Sequence, residues 1–587
     1  MKSLITILFC SFLMTVSCVT TPEYSQYASE NPDHVYEATG KNGMVSAAHP
    51  LASKAGVLML KKGGNAVDAA IATSFAISVL RPQSTGLGGG GFSLVYNAGK
   101  LKSKKGTKVF DFRERAPLLA KKKMYINNKG EPISFSYRGT DVGDASVNGH
   151  LSVGVPGLVA GLLEMHRQYG SLPLKVVMQP AIDLARNGFP VYSGFISSIE
   201  SREKLLSTFE SSKVLYLPNG KPPIKNTIFK NADLARTLER IAQNGIDEFY
   251  KGKTADLIIE EMERGKGLIS KDDLLKYTVK FPKAVSGTYR GYKIVSMPPP
   301  SSGGVHIIEM LNLLEPYDLS SFGQNSPKSL HLLAESMRIA FADRAKYLGD
   351  PEFVKVPTSG LISKKYARSL APQINIKKAG NSNKMGPSKP FDYESDSTTH
   401  LSVVDKWGNA VSSTQTVNYT FGSGVVVKGA GFILNDEMDD FSKKPGFPNA
   451  YGLIGSEANA IAARKTMLSS MSPTIVFDSN ENVKLVVGSP GGPRIITATL
   501  QTILNVIDFK MKLLPAVHAS RIHHQWKPDK IRVEKDELPD ETLDELRKMG
   551  HVIDEGSSIG DVQAIIKTGG IWRGVSDRRS SGSPAGY

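Results

Sequence analysis

The sequence predicts an α+β protein with a helix-rich first part and a strand-rich last part. Alanine-rich stretches in the first part, such as residues 66–80 after the break "KKGGN", have helical periodicity. From residue 398 onward, apolar and polar residues alternate in short runs such as "THLSVV" and "VKLVVG", which is typical of strands. Between the two parts, residues 370–397 are rich in Lys, Asn, Ser, Gly and Pro and predict an exposed, mobile linker.

Composition places the chain among soluble globular proteins. Its 587 residues are 40% hydrophobic and 22% charged, with a mean hydropathy of -0.18. The net charge of +16 raises the question of nucleic-acid binding. Lysine-rich runs such as "KLKSKKGTK", however, have little aromatic interleaving and match no motif that reads DNA or RNA. We therefore expect a solvated basic face and no nucleic-acid partner.

The amino-terminal residues indicate export. Lys2 precedes an apolar run from Leu4 to Val16 that is too short to span a bilayer, so residues 1–18 are predicted to be a signal peptide. Both cysteines, Cys10 and Cys18, lie in this segment, which leaves the mature chain without a disulfide or a cysteine nucleophile. Simple cleavage and lipidation of Cys18 both remain open. We expect a periplasmic, secreted or membrane-tethered protein with a flexible tail over residues 19–40.

Helices are predicted throughout the chain, a first alanine-rich one ended by Gly63 and Gly64, and others at 66–80, 158–168, 175–187, 232–244, 254–264, 327–348, 494–508 and 540–549. The run "GLGGGG" at 86–91 contains G-x-G-x-x-G, but a predicted helix precedes it and the strand "FSLVY" follows. A dinucleotide-binding loop requires the opposite order. The neighbours His523 and His524 would face opposite sides of a strand, which disfavours a shared metal. No cofactor or metal is predicted.

The residues from 398 to 418 predict a hairpin with chemistry at its open end. A three-residue loop over 406–408 would use Gly408 in the left-handed conformation and pair Asp405 with Asn409. That register sets Thr398 opposite Thr416, with Asn418 two residues further on the same face. Thr–Thr pairs are also ordinary sheet stabilisers, so the hairpin alone does not establish a catalytic role.

A threonine hydroxyl needs a base before it can attack a substrate. His400 is the one nearby candidate in the sequence, and its side chain should point away from that of Thr399. Cleavage between Ser397 and Thr398 would instead supply a free α-amine, of which about a third is neutral at pH 7.4, given an ordinary pKa near 7.7. An amino-terminal Thr398 would carry both nucleophile and general base.

Several motifs, in order, resemble γ-glutamyltranspeptidases (glutathione hydrolases). They are "GGNAVDAAIAT", "STGLGGGGF", "DFRERAP", "VPGLVAG", "PPPSSGG", "TTHLSVVDKWGNAV", "ILNDEMDDFS", "LSSMSPT", "GSPGGPRII", "RIHHQW" and the closing "AGY". The resemblance implies a four-layer αββα sandwich of the N-terminal nucleophile hydrolase type. It also implies self-cleavage before Thr398 into a large subunit, 41–397, and a small subunit, 398–587, which together form one catalytic heterodimer.

The resemblance also assigns roles to individual residues. Thr398 is the expected nucleophile and Thr416 the threonine that hydrogen-bonds it. The substrate α-carboxylate is expected at Arg113, Ser469 and Ser470, and the α-ammonium at Asn418, Glu437 and Asp440. Gly491 and Gly492 are expected to bind the oxyanion, and Tyr451 to belong to a lid over 445–456. Taken singly, each of these residues also has an ordinary structural role, for example an ion pair between Arg113 and Glu114.

The activity implied is transfer of the γ-glutamyl group of glutathione and related compounds to water, amino acids or dipeptides. Two alternatives remain open at this stage. The first is a related amidase acting on cephalosporin side chains or poly-γ-glutamate, and the second is an unprocessed, binding-only relative. Pro493 after the glycine pair and the lysine-rich insertion over 100–108 depart from the family pattern. These departures bear on rate and acceptor preference.

Overall fold

The computed structural model describes residues 34–102, 104–386, 398–444 and 456–587. Several residues singled out in the sequence therefore lie outside the described residues, among them Cys10, Cys18, Ser397 and Tyr451. The predicted signal peptide and most of the lid segment lie outside them as well. Within the described part, no helix combines the length and apolar character needed to cross a membrane.

Two antiparallel sheets form the centre of the fold. The six-stranded sheet has the order β20-β2-β11-β12-β3-β4, and the seven-stranded sheet has the order β1-β19-β18-β14-β13-β10-β9. The strands of the first are β2 (Gly43–Ala47), β3 (Gly90–Asn97), β4 (Gly106–Asp111), β11 (Thr399–Asp405), β12 (Ala410–Thr416) and β20 (Ser583–Gly586). Those of the second are β1 (Glu37–Gly40), β9 (Val285–Tyr289), β10 (Tyr292–Ser296), β13 (Thr474–Phe477), β14 (Val483–Gly488), β18 (Gln563–Thr568) and β19 (Ile571–Ser576).

Smaller sheets decorate this core. They are formed by β5 (Ser134–Tyr137) with β6 (Thr140–Asp144), β7 (Phe189–Pro190) with β8 (Ile228–Phe229), and β15 (Ile522–His523), β16 (Ile531–Glu534) and β17 (Ile553–Gly556).

Helices cover the outer face of each large sheet. Those of the first part, up to residue 275, are Pro50–Lys61, Ala66–Leu80, Leu158–Tyr169, Leu174–Asn187, Ser193–Ser201, Glu203–Thr208, Glu210–Tyr216, Ala232–Asn244, Ile246–Tyr250, Lys253–Gly265 and Lys271–Leu275. The others are Gly303–Leu314, Leu319–Phe322, Pro327–Tyr347, Thr358–Leu361, Lys364–Leu370, Pro493–Ile507, Leu513–His518 and Asp540–Lys548.

Side-chain alternation along β11 shows how the layers stack. Leu401 and Val403 belong to the core between the six-stranded sheet and the first group of helices. Val404 belongs instead to a core between the two sheets, where it joins residues such as Ile475 and Val486. A third core lies between the seven-stranded sheet and helices such as Gly303–Leu314. The result is the predicted four-layer αββα sandwich, in which both faces of the central strands are buried.

All nine helices predicted from the sequence are present: the first is Pro50–Lys61, and the ends of the other eight differ from the predicted positions by at most one residue. Several short helices and the longer Gly303–Leu314 are not predicted from the sequence, among them the three helices over 193–216. The tail predicted over 19–40 is too long, because Glu37–Gly40 forms strand β1 and pairs with β19. The description of a helix-rich first part also understates its strands, since β2 and β3 flank the β11–β12 hairpin in one sheet.

The linker predicted over 370–397 is held to the fold in its first half. A short helical turn spans Ala371–Gln373, and the amide of Ser382 donates to Asp529 Oδ2 at 2.7 Å. The Trp526 indole donates to the carbonyl of Met385 at 2.9 Å. Residues 387–397 lie outside the described part of the chain. The prediction of an exposed segment is confirmed for most of residues 371–386. The predicted mobility is not supported there, because polar side chains of the last part bind the backbone at Ser382 and Met385.

Candidate active site

The hairpin at 399–416 has the register predicted from its turn. Thr399 pairs with Gln415, and the amide of Asp405 donates to the carbonyl of Asn409 at 3.1 Å. Gly408 has φ +85°, the left-handed conformation that the three-residue loop requires. Extended by one residue, this register sets Thr398 across from Thr416, and Thr398 is 6% exposed. The expected nucleophile thus lies at the end of a central strand.

His400 lies between the two sheets and is held there by hydroxyl groups. Its Nδ1 is 2.8 Å from Thr414 Oγ1 and its Nε2 is 3.2 Å from Ser402 Oγ. Burial lowers the pKa of His400 from 6.5 to about 3, so the ring is neutral at physiological pH. A neutral imidazole bonded in this way is suited to fixing the sheet-to-sheet contact. These contacts agree with the expectation that His400 is not the base for the threonine.

The end of β12 is tied to an acidic turn. Thr416 Oγ1 accepts a hydrogen bond from the amide of Asn418 at 2.7 Å, and Asn418 adopts φ +71°. The Asn418 carboxamide donates to the carbonyl of Asp436 at 3.0 Å, and Asp436 Oδ1 accepts from the amide of Tyr419 at 2.9 Å. The 3-10 turn Glu437–Asp440 follows directly. These bonds place the carboxylates of the turn beside the open end of the hairpin.

Arg113 lies against that turn and is buried. Its Nη1 is 2.7 Å from Glu437 Oε2, and its Nη2 donates to Asp440 Oδ2. The same Nη2 is 3.1 Å from the carbonyl oxygen of Leu468, the residue before the serine pair. The structure therefore brings together residues expected at opposite ends of a zwitterionic substrate, and it pairs the two sets with each other.

Carboxylates outnumber the guanidinium in this cluster. Glu114, Glu437 and Asp440 are all buried around Arg113, and Glu114 Oε2 lies 4.0 Å from Arg113 Nη1. Burial raises the pKa of Glu437. Burial and the nearby charge of Glu437 raise the pKa values of Glu114 and Asp440 well above their usual range. The positive charge of Arg113 opposes all three shifts. A bound ammonium group would supply the missing positive charge. The carboxylates of the cluster can therefore bind the ammonium group of a ligand directly.

The loop carrying Ser469 and Ser470 is held by the motif "PPPSSGG". The hydroxyl of Ser302 donates to the carbonyl of Ser469 at 2.7 Å, and the amide of Ser469 donates to the carbonyl of Pro300 at 2.9 Å. The hydroxyl of Ser301 donates to the carbonyl of Met471 at 2.7 Å. Ser470 Oγ accepts a hydrogen bond from Arg344 Nη2 at 2.6 Å. The loop therefore has a fixed backbone, with Arg113 on one side and Arg344 on another.

The glycine-rich run 86–91 has a packing role. A Cβ on Gly89 would lie 2.0 Å from the carbonyl oxygen of Thr416, and one on Gly90 would lie 2.5 Å from Glu114 Oε2. The run follows the helix Ala66–Leu80 and leads into β3, as the sequence predicts, which is the wrong order for a dinucleotide loop. Its glycines let β3 pass close to the hairpin and to the acidic cluster.

Gly491 and Gly492 lie in the turn between β14 and the helix Pro493–Ile507. They have φ +121° and +60°, respectively, conformations that favour glycine. Pro493 occupies the first turn of the helix, where its missing N–H costs least. The turn begins at Gly488, which lies directly against His400, since an added Cβ would be 2.4 Å from His400 Cε1. His400 thereby links the position of this turn to the strand that carries Thr399.

Two charged residues of the site, Glu114 and Arg344, are not predicted from the sequence. Glu114 is part of the motif "DFRERAP", but the sequence predicts for it only an ion pair with Arg113. Arg344 belongs to the helix Pro327–Tyr347, and no local pattern distinguishes it from the other basic residues there. The roles of Thr398, Thr416, Gly491, Gly492 and the binding residues remain predictions that the geometry accommodates. Those of Ser397 and Tyr451 fall outside the described residues.

A separate buried group could in principle hold a metal. Within the described ranges, His331, Glu335 and His551 form a group whose ligand atoms all lie within 4.8 Å of one another. His331 Nδ1 and His551 Nε2 are 2.7 Å apart and hydrogen-bonded to each other, and Glu335 Oε1 accepts from Arg338 at 3.1 Å. The protein thus already uses ligand atoms of this group.

Comparisons with known proteins agree with the site geometry. A family model described as Gamma-glutamyltranspeptidase matches residues 52–587. The chain is 46% identical over 562 residues to the glutathione hydrolase proenzyme of Escherichia coli (strain K12), covering 95% of this chain and 94% of that protein. A cephalosporin acylase from Bacillus halodurans superposes with a TM-score of 0.82 at 27% identity, covering 95% of this chain and 98% of that one. A Helicobacter pylori γ-glutamyltranspeptidase chain superposes with a TM-score of 0.55 at 39% identity, covering 58% and 94%.

Proposed function

The chain belongs to the γ-glutamyltranspeptidase family, and from that premise we propose that it is a self-cleaving glutathione hydrolase and γ-glutamyl transferase. The observation that carries the proposal is the cluster of Arg113 with Glu114, Glu437 and Asp440 at the open end of the Thr398 hairpin. A guanidinium beside excess carboxylates suits a group that bears both a carboxylate and an ammonium. The α-carbon of a γ-glutamyl compound bears both.

The chemistry proceeds through a threonyl ester. After cleavage between Ser397 and Thr398, the α-amine of Thr398 takes the proton of its own hydroxyl as Oγ1 attacks the γ-carbonyl carbon. The C–N bond of the γ-amide then breaks, and the leaving amine receives that proton; for glutathione the leaving group is cysteinylglycine. Water, an amino acid or a dipeptide attacks the ester next and regenerates the hydroxyl. Amides of Gly491 and Gly492 stabilise the oxyanion in both halves of the reaction.

The substrate is held by its two charged groups. Arg113, Ser469 and Ser470 bind the α-carboxylate, and Asn418, Glu437 and Asp440 bind the α-ammonium. Arg113 forms ion pairs with Glu437 and Asp440, which supports this assignment. When the substrate binds, its α-carboxylate replaces these carboxylates at Arg113, and its α-ammonium replaces the guanidinium at the carboxylates. The two chains made by cleavage stay together, since β2 and β3 flank β11 and β12 in one sheet.

The first experiment is an intact-mass spectrum of the wild type and of Thr398→Ala. We expect two chains in the wild type, the smaller one beginning at Thr398, and a single chain in the variant. A Thr398→Ser variant should cleave more slowly and retain some activity, because serine keeps both the hydroxyl and the amine. An uncut wild type would contradict the proposal. The mass of the larger chain also tests whether Cys18 carries a lipid, and so whether the proposed export ends in a membrane-tethered form.

Acylase activity is the second candidate, supported by the likeness to the cephalosporin acylase. Two anilides separate the candidates, γ-glutamyl-p-nitroanilide and glutaryl-p-nitroanilide, which differ only in the α-amine. We expect strong preference for the γ-glutamyl compound, because Glu437 and Asp440 bind the ammonium. Preference for the glutaryl compound would identify an acylase.

A further inference from the structure

Lys443 follows the acidic turn of the proposed site, and its charge is largely buried. It lies three residues after Asp440, and its side chain is 11% exposed. Its Nζ donates to Ser146 Oγ at 2.7 Å and to Asp144 Oδ2 at 2.8 Å, and it lies 2.9 Å from Asp439 Oδ1. An ammonium group has three protons, so these three oxygens use all of them. Lys443 therefore belongs to a buried network and is not a solvated surface charge.

Asp439 is the residue of the acidic turn that Lys443 binds. Its carboxylate is fully buried, and its Oδ1 also accepts a hydrogen bond from Ser146 Oγ at 2.6 Å. Its Oδ2 accepts from the Tyr419 hydroxyl at 3.1 Å. A carboxylate buried in this way needs a cation, because removal of one member of a buried ion pair leaves an uncompensated charge. Lys443 supplies that cation.

The same turn carries two residues proposed to bind the α-ammonium of the substrate. Glu437 and Asp440 pair with Arg113, whereas Asp439 pairs with Lys443. Because the turn has only four residues, the position of Asp439 restricts the position of Asp440. Burial and the charge of Glu437 raise the pKa of Asp440 first, and the charge of Asp439 raises it further. A cation at Asp439 therefore bears on both the position and the charge of Asp440.

The other two partners of Lys443 belong to the first part of the chain. Asp144 ends strand β6, and its Oδ1 accepts from the amide and from the hydroxyl of Ser146, both at 2.9 Å. These bonds close a small turn of a kind that aspartate favours. Burial raises the pKa of Asp144, but the charge and hydrogen bond of Lys443, with the bonds from Ser146, hold it below its usual value. Lys443 thus joins a fixed turn of the predicted large subunit to the acidic turn of the small one.

We propose that Lys443 is a positioning residue that, through Asp439, holds Asp440 where it binds the α-ammonium of the substrate. The inference rests on the proposed function, which places that ammonium at Asn418, Glu437 and Asp440. The three protons of Lys443 are used within the protein, so it acts through Asp439 and not by touching the substrate. A substrate that lacks the α-amine gains nothing from this arrangement.

The test compares γ-glutamyl-p-nitroanilide with glutaryl-p-nitroanilide, which lacks the α-amine. We expect Lys443→Met to lower kcat/KM for the γ-glutamyl compound about 5- to 20-fold, mostly through KM, because a charged contact is lost one residue away from the ammonium. The loss on the glutaryl compound should be below about twofold, since it has no ammonium to bind. Lys443→Arg should retain part of the activity, because arginine keeps the charge but presents its donors in a planar fork.

A double-mutant cycle tests the route through Asp439. The side chain of Asp144 is 31% exposed, so water can solvate it when the lysine is lost, whereas Asp439 is fully buried. In an Asp439→Asn background, Lys443→Met should therefore lower kcat/KM by less than about twofold. The matched control is Lys530→Met, which removes another partly buried lysine, paired with Asp554 in the three-stranded sheet. It should leave the ratio of the two substrates unchanged.

Several outcomes would overturn the inference. Equal losses on both substrates would show a purely structural role for Lys443, and an undiminished loss in the Asp439→Asn background would exclude the route through Asp439. If Lys443→Met is insoluble, Ser146→Ala takes its place, with an expected loss of about threefold confined to the γ-glutamyl substrate. Failure of the proposed function looks different, because the wild type itself would then not release nitroaniline from the γ-glutamyl substrate.

Discussion

Arg113 Nη1 lies 2.7 Å from Glu437 Oε2, so that two residues proposed to bind opposite charges of the substrate bind each other. Burial by itself lowers the pKa of Arg113, but the charges of Glu437 and Asp440 outweigh burial and raise the pKa above its usual value. Arg113 is therefore charged at every pH at which the protein is folded. Its planar guanidinium reaches both Glu437 and Asp440, which a lysine ammonium cannot match.

The first prediction concerns this geometry. We expect Arg113→Lys to lower kcat/KM for γ-glutamyl-p-nitroanilide by about 10- to 100-fold, because lysine keeps the charge but loses the two-pronged fit to a carboxylate. Steady-state kinetics measure the effect, with circular dichroism as the check on folding. Arg115→Lys is the control, since Arg115 is a second buried arginine of the same motif and its guanidinium stacks 4.9 Å from the Tyr277 ring centroid. An unchanged KM in Arg113→Lys would contradict the assignment.

The second prediction concerns the contact of Gly488 with His400. A Cβ on Gly488 would lie 2.4 Å from His400 Cε1, so Gly488→Ala must move the ring or the turn that leads to Gly491. We expect a destabilisation of about 1–3 kcal/mol, together with reduced kcat, measured by thermal unfolding and by anilide turnover.

The matched control for this prediction is Gly360→Ala, because nothing lies within 4 Å of a Cβ added there. Combining Gly488→Ala with His400→Ala should recover part of the activity lost in Gly488→Ala, since the clash is removed. Normal activity in Gly488→Ala alone would show that the turn does not depend on this contact.

The third prediction concerns acid stability. His49 caps the helix Pro50–Lys61, with Nδ1 accepting from the amide of Leu51 at 3.2 Å. Burial and, secondly, the charge of Arg81 lower the pKa of His49 from 6.5 to about 3. Between pH 6.5 and pH 3 the unfolded chain binds a proton that the folded chain does not bind. The free energy of unfolding therefore falls as the pH drops through this window.

At pH 5 this single histidine costs about 2 kcal/mol relative to neutral pH. Asparagine can replace the cap without a titrating group. We expect His49→Asn to lose about 2 kcal/mol less stability than the wild type between pH 7 and pH 5, as measured by denaturant unfolding at both values. Equal losses in the two proteins would show that His49 is not held neutral in the fold.

Local pattern was sufficient for the hairpin and for many helices. The register of β11 and β12 follows from one turn, in which Gly408 takes a conformation that few other residues adopt, and every later pair is then determined. The helix Ala66–Leu80 begins at a capping box on Asn65 and Asp68, both visible in the sequence. Such features depend on residues a few positions apart, so the sequence alone contains them.

Tertiary structure decided which distant residues meet. Arg113 and Asp440 are 327 positions apart, and Arg344 and Ser470 are 126 apart. No local period predicts such contacts, because they depend on how the two sheets stack and on where the helix Pro327–Tyr347 packs. The same holds for the glycines at 88–91. A Cβ at these positions would clash with neighbouring backbone or side chains only because β3 passes close to the hairpin and the acidic cluster in the folded protein. The sequence by itself determined the hairpin that presents Thr398, and tertiary packing determined which charged side chains lie near its open end.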